Sequence, residues 1–198
     1  MAEKVRCPWP GNDSMMIEYH DREWGVPVHD DKQLFEKLIL DSFQAGLSWS
    51  TILKKRKNFR MALDNFNAKK ISKYNSKKKK ELMGNAGIIR NRLKIEATII
   101  NAQKFLEIQK EFGSFEKYIW QFVNHKTIVG KFKSWKNIPA TTKESDAMSK
   151  DLKERGFKFV GSTICYAFME AVGMVNDHIV DCFRYNSFLD TSESGKDK

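Results

Sequence analysis

Cysteine is scarce in this chain: Cys7, Cys165 and Cys182 are the only three among 198 residues. So small and odd a number argues against a disulfide framework and for a reducing compartment. Long apolar runs are missing too, so no stretch qualifies as a membrane span. The opening "MAEKVRCPWPGND" lacks the apolar middle of a secretory leader. A cytoplasmic protein that does not contact membranes is the expectation. Strand signals are weak, no repeat or Gly/Ser linker divides the chain, and no coiled-coil pattern or long sticky stripe suggests more than a monomer. What remains is one domain over residues 1–188, in one or two lobes, followed by a polar tail at 189–198 that is expected to be disordered.

Acid is the scarcer charge. Against 35 Lys+Arg stand 25 Asp+Glu, a formal net charge of +10. That excess favours an anionic partner, and nucleic acid is the commonest one. Part of the lysine is plain solubilising charge: "SKKKKEL" at 76–82 reads first as a solvated helix start and only second as a phosphate contact.

Helical spacing with start and stop signals recurs along the chain. "HDDKQLFEKLILDSFQAG", "WSTILKKRKNFRMALDNF", two helices broken near Gly84 to Gly87 with the second ending at Gly113, and "SFEKYIWQFVNH" follow in order. After the loop "NIPATT" come "ESDAMSKDLKERG", stopped by Gly156, and the apolar "GSTICYAFMEAVGMV", which holds Cys165 as a core residue. The fold class read from this pattern is all-α.

Three features carry chemistry. Within "LILDSFQAGLSW" one carboxylate, Asp41, shares a helical face with Leu34, Leu38 and Ala45. A charge on an apolar stripe is costly unless it is paired, hydrated or used. A solvated or capped aspartate near a helix end is the plain alternative. In "NDHIVDC", His178 and Cys182 are four residues apart, on one face if helical, and Cys7 and His20 lie near the other chain end. Together they form a candidate Cys2His2 zinc set that would staple the termini, although buried cysteine and hydrogen-bonded histidine are also ordinary core residues. His29 and His125 belong to no such cluster. Third, the six residues "GFKFVG" join two helices, with Gly156 and Gly161 at their ends and Lys153, Arg155 and Lys158 around them. The glycine placement is similar to the turn of helix-hairpin-helix DNA-binding proteins, in which backbone amides at the following helix start, here Ser162, face a phosphate. An ordinary helix connection is the alternative.

Taken together, "YHDREWGVP", "QAGLSW", "NAGIIRNRLKI", "FVNH", "SDAMSKDLKERGFKFVGSTICYAFMEAVGMVNDH" and the Cys7/His20/His178/Cys182 set resemble the bacterial 3-methyladenine DNA glycosylase I family, from about Arg6 to Tyr185. The resemblance implies the helix-hairpin-helix glycosylase architecture, a structural zinc ion joining the N- and C-terminal segments, and double-stranded alkylated DNA as partner. It implies hydrolytic release of 3-methyladenine by base flipping. Asp41 matches the family's base-reading glutamate with an arm one methylene shorter, roughly 1.5 Å of reach. The cavity must then sit closer, use a bridging water, or serve an altered activity. Ser42 replaces a glycine and Met16 a tyrosine. Trp49, Tyr19, Trp9 and Trp24 match aromatic positions that would hold a cationic purine, with core and pocket roles equally open for Trp24. Asn176 stands where many related glycosylases carry an aspartate, and Asp177 follows it. No lysine stands out as a Schiff-base nucleophile, so monofunctional hydrolysis is expected. The alternative reading is an alkylated-DNA-binding protein with lost or altered excision.

Overall fold

Almost every helix begins where the sequence supplies a side chain for its first free amides. The computed structural model describes residues 4–188, so the tail read as disordered at 189–198 lies outside the described residues. Among them, α1 (Ser14–Arg22) opens on Asp13, α2 (Asp31–Gln44) on Asp30, and α3 (Trp49–Ala62) on Ser48. Three asparagines follow: Asn67 caps α4 (Ala68–Ile71), Asn75 caps α5 (Ser76–Gly84) and Asn91 caps α6 (Arg92–Phe112). Ser114 caps α7 (Phe115–Trp120), and Thr142 forms a reciprocal capping box with Ser145 at α8 (Lys143–Glu154). The last helix, α9 (Ser162–Ala171), opens on Gly161 with no side-chain cap. It is the exception among the described α-helices, each of the others having a side chain that accepts from a first-turn amide.

The helix α2 runs through the centre. Leu34, Phe35, Leu38, Ile39, Leu40 and Phe43 are all buried on it, packed with residues of α3, α6, α7 and α9. Asp31 in its first turn accepts hydrogen bonds from the Phe115 and Glu116 amides, so the start of α2 also holds the start of α7. A second, smaller cluster gathers Cys7, Tyr19, Trp24, Leu53, Ile179 and Cys182 and joins the two ends of the chain.

Three expectations change. The fold is mostly helical but not purely so: β1 (Ile128–Val129) pairs in parallel with β2 (Val175–Asn176). Strands of two residues are too short to show an alternating pattern in sequence. The last helix stops at Ala171 rather than running to Val175, because Gly173 takes φ +70°. A Cβ there would stand 2.4 Å from Pro27 N, so the chain can pass beneath Val26 and Pro27 only as glycine. Third, His178 and Cys182 lie on a turn closed by Cys182 N to Ile179 O at 2.8 Å, not on a helix. Helix α1 is not among the segments read from sequence, although Asp13 supplies it with the same kind of cap as the others.

The end of α2 is held by a buried cation. Lys94 Nζ donates to Phe43 O at 2.8 Å and to Ala45 O at 2.6 Å, satisfying carbonyls that the helix leaves open. Lys94→Met should therefore cost about 2–3 kcal/mol and lower the Tm by roughly 5–10 °C. Urea and thermal unfolding would measure this. A change under about 0.5 kcal/mol would show that the contact is worth no more than an ordinary surface position.

Candidate active site and metal centre

Asp41 sits on the last full turn of α2 and is 2 % exposed. Its Oδ2 is buried with no hydrogen-bond partner among the described residues, so the side chain is neither surface-exposed nor a helix cap. The carboxylate faces a cavity of about 430 Å³, within the usual range for small-molecule sites. Trp9, Met16, Tyr19 and Trp24 line it from the N-terminal segment, Gln44 and Trp49 from either side of the α2–α3 turn, and Ala167, Glu170 and Ala171 from α9. Trp135 and Ile138 complete it.

The rings form a connected wall. Tyr19 and Trp49 lie 5.1 Å apart at 46°, and Trp9 meets Trp24 edge-on at 5.1 Å. Trp9 Nε1 and Trp49 Nε1 are, like Asp41 Oδ2, buried without partners. Unpaired buried polar atoms cost about 1–3 kcal/mol each. All three belong to residues that line the same cavity, whose rings offer flat faces to a planar ligand. Trp24 belongs to both core and cavity: it is 8 % exposed and stands edge-on to His178 at 4.6 Å. It therefore separates the cavity from the Cys/His cluster.

Burial pushes the Asp41 carboxyl up to about 7, against the pull of Lys37 and Arg56. Lys37, one turn earlier on α2, is itself buried, bonds Glu23 at 3.1 Å, and places its ammonium 4.7 Å from the Tyr19 ring centre. Arg56 bridges Glu23 and Glu36 at 2.7 Å each. This ion network lies behind the cavity and supplies positive potential to Asp41 without touching it. Ser42, beside Asp41, bonds Leu38 O at 2.8 Å and reaches Phe159 O at 3.4 Å, tying α2 to the hairpin.

All four sequence-predicted metal ligands come together. The ligand atoms of Cys7, His20, His178 and Cys182 lie within 4.8 Å of one another, and all four residues are buried. Cys7 Sγ to His178 Nδ1 is 3.6 Å, and Cys182 Sγ is 3.5 Å from both His178 Nδ1 and His20 Nε2. Tetrahedral bonds of about 2.3 Å to sulfur and 2.05 Å to nitrogen require an edge of about 3.6 Å, so the set fits a zinc-sized ion. The outward ring nitrogens are also engaged. His20 Nδ1 meets Asp21 Oδ1 at 2.8 Å and His178 Nε2 meets Trp24 O at 3.2 Å, which assigns the protons outward and leaves the inner nitrogens free to coordinate. Arg6 in turn grips Asp21, at 2.8 Å for its shortest bond, and holds that carboxyl below the usual range.

The hairpin is present between α8 and α9. Gly156 takes φ +93°, and its amide closes on Lys153 O at 2.9 Å. Gly161 has an ordinary φ of −64°, and a Cβ there would meet nothing within 4 Å. The fold itself thus has no use for glycine at 161, whereas a group resting on that backbone would. Lys153 and Lys158 are exposed around the turn. The Lys158 amide is already given to Asn101 Oδ1 at 2.8 Å. Ser162 directs its hydroxyl to Asp146 at 2.5 Å. Arg155 is committed elsewhere, paired with Glu111 at 2.8 Å and Asp151 at 2.9 Å.

Among the described residues, the segment after α9 offers the cavity no acid. Asn176 bonds Tyr185 O at 3.0 Å, and Asp177 accepts from the buried Tyr166 hydroxyl. Sequence reasoning missed Gln44, Trp135, Ile138 and the α9 face Ala167–Glu170–Ala171. For Glu170 a signal existed, since it is a lone acid on an apolar helix, the same pattern that marked Asp41.

Residues 9–185 match the family model of the methyladenine glycosylases. A DNA-3-methyladenine glycosylase of Haemophilus influenzae is 49 % identical over 178 residues, 90 % of this chain and 96 % of that protein. A crystal structure of a 3-methyladenine DNA glycosylase I superposes with TM-score 0.89 at 47 % identity, covering 90 % of this chain and 98 % of that one. The Staphylococcus aureus enzyme, in a structure describing its recognition of 3-methyladenine, gives TM-score 0.88 at 36 % identity over 91 % of this chain and 96 % of that one.

Proposed function

The chain belongs to the methyladenine glycosylase family, and from that membership we infer that it hydrolyses the N-glycosidic bond of 3-methyladenine in alkylated DNA. The observation that carries the site assignment is the gathering of Asp41 with Trp9, Tyr19, Trp24 and Trp49 around one aromatic cavity.

The target base is stacked in a duplex and must be swung out to reach this cavity. The free amides at the Gly161–Ser162 helix start, with Gly156 shaping the turn, rest on a phosphate, and Lys153 and Lys158 add charge without reading sequence. Arg155 stabilises the hairpin from behind through its pairs with Glu111 and Asp151. An N3-alkylated adenine still joined to its sugar is cationic. Tyr19, Trp49, Trp9 and Trp24 hold it by stacking and ring-face attraction, and Asp41 accepts a hydrogen bond from its exocyclic amine while offsetting its charge. The shorter arm of Asp41 is accommodated by its place in the cavity wall, where a bridging water has room.

Water then replaces the base at the anomeric carbon, leaving an abasic site. With Asn176 and Asp177 turned into structural bonds, Asp41 is the charged group that favours departure. A cationic purine is already a good leaving group, so electrostatic complementarity suffices for the step.

Cys7, His20, His178 and Cys182 hold a zinc ion in this reading. When bound, it contributes no reaction chemistry and joins the chain ends by coordination. Among the described residues no helix is long and apolar enough to cross a membrane. Hairpin and cavity are on one chain, so the site is complete without a second copy, and in this reading the protein acts as a monomer on cytoplasmic DNA. Incubation with methylated duplex DNA and chromatography of the released bases tests the activity. Free 3-methyladenine above the uncatalysed background, with the strand uncut, is the expected result. DNA binding with no release would instead mark a damage-binding protein.

A further inference from the structure

Two acids, not one, reach the cavity. Glu170 lies next to the last residue of α9, and its neighbours on the cavity face, Ala167 and Ala171, are too small to screen it. Its backbone is locked, with the carbonyl accepting from Gly25 N at 3.0 Å and Gly173 N at 3.3 Å. Its carboxyl takes part in no hydrogen bond or ion pair among the described residues, and its remaining exposure is partial.

We propose that Glu170 is a specificity-determining residue of this cavity, donating a hydrogen bond to an acceptor nitrogen of the flipped purine while Asp41 accepts one from its exocyclic amine. The proposal rests on the base-release reading above and deepens it.

The two acids differ in their surroundings, and that difference assigns their roles. Both sit near helix C-terminal ends, where a negative charge opposes the dipole. At α2 that opposition is relieved: Lys94 holds the end carbonyls, and Lys37 and Arg56 attract the Asp41 charge. Glu170 has no cation of its own. Burial, and after it the negative charges of Asp177 and Asp41, hold its carboxyl well above the usual range. When environments push two carboxyl groups apart in this way, one serves as acceptor and the other as donor. Ionised Asp41 and protonated Glu170 together present an acceptor and a donor from two walls. An adenine edge offers the complement, an amine beside a ring nitrogen. A guanine edge replaces that amine with a carbonyl oxygen, which Asp41 repels. Glu170 thus tightens selection for adenine beyond what aromatic stacking, indifferent to edge chemistry, can provide.

The test pairs protein variants with altered ligands. Free 3-methyladenine and its 1-deaza and 7-deaza counterparts, each lacking one ring acceptor, are titrated against cavity tryptophan fluorescence. Wild type, Glu170→Met and Glu170→Gln are compared, with thermal melting to confirm folding. Wild type should prefer 3-methyladenine over one deaza base by roughly tenfold. Glu170→Met should bind 3-methyladenine roughly tenfold more weakly and lose that preference, and Glu170→Gln, which keeps a donor, should recover most of both. A preference that persists in Glu170→Met overturns the proposal, as does a glutamine variant no better than methionine. Wild-type protein that neither binds the free base nor releases it from DNA would overturn the glycosylase reading itself, a distinct and separately visible failure.

Discussion

Asparagine at position 41 will lower base release by about 100-fold or more and, above pH 7, will make the folded protein more stable. The first effect follows from charge. Asp41→Asn keeps volume and an acceptor oxygen but cannot offset a cationic purine, and losing such a preorganised group costs on the order of 10²–10³ in rate. The second follows from linkage. The folded-state carboxyl titrates near 7, against an ordinary value near 3.8. A raised acid means that the folded chain binds its proton more tightly than the unfolded one. Stability is therefore greatest below the ordinary value and declines as pH rises towards 7, by up to about 4 kcal/mol from this group. The asparagine variant escapes that decline but keeps an unpaired buried amide, so a net gain of about 1–3 kcal/mol at pH 8 is expected, vanishing near pH 4. Excision by wild type, as kcat/KM, should rise with pH through about 7 as the carboxylate forms. DNA retention through the hairpin should change little. Excision rates and urea unfolding across pH 4–8.5 measure both effects. Unchanged excision removes Asp41 from the chemistry, and pH-independent stability differences would mean that the side chain is hydrated after all.

The other large effect is expected at the Cys/His cluster. Elemental analysis should find about one zinc per chain, and Cys182→Ala or exhaustive chelation should lower the Tm by about 10 °C or more. The expected cost is several kcal/mol, because a buried thiolate and two imidazoles lose the ion that satisfies them together. Cys7 and Cys182 both stand against the His178 imidazole, at 3.6 and 3.5 Å, so removal of the ion leaves all three without their common partner. Loss should extend to the cavity. Tyr19 adjoins His20, Trp24 packs on His178, and Trp9 lies 5.4 Å from the His20 ring, so the aromatic wall is anchored on the metal ligands. Free-base binding should fail while salt-sensitive DNA binding survives. Metal-free protein with unaltered melting and unaltered base binding would refute the four-ligand site.

Much of this was legible because the relevant chemistry is local or chemically unusual. Capping residues and glycine stops marked α2, α3, α6 and α8 closely. Asp41 stood out as a charge among apolar neighbours, and the two Cys/His pairs as metal-binding residue types. Harder to read was whatever depended on partners distant in sequence. The parallel pairing of Ile128–Val129 with Val175–Asn176 is a contact between two loops. The helical reading of His178–Cys182 had the right spacing but the wrong backbone, since a turn also brings residues four apart together. Arg155 counted as DNA-facing charge because sequence does not show that Glu111, 44 residues away, takes it. Trp135 and Ile138 come to the cavity on a segment with no periodic pattern.

The smaller core cluster has a consequence for synthesis on the ribosome. Cys7 and His20 emerge early, yet their companions His178 and Cys182 arrive among the last residues described. A nascent chain that already includes the hairpin still lacks the residues against which Trp9 and Trp24 pack at the Cys/His cluster. Translation that halts a few codons before Cys182 would therefore yield a product with an incomplete cluster, and the order in which the ribosome delivers these residues makes closure of the cavity wall one of the last steps of folding.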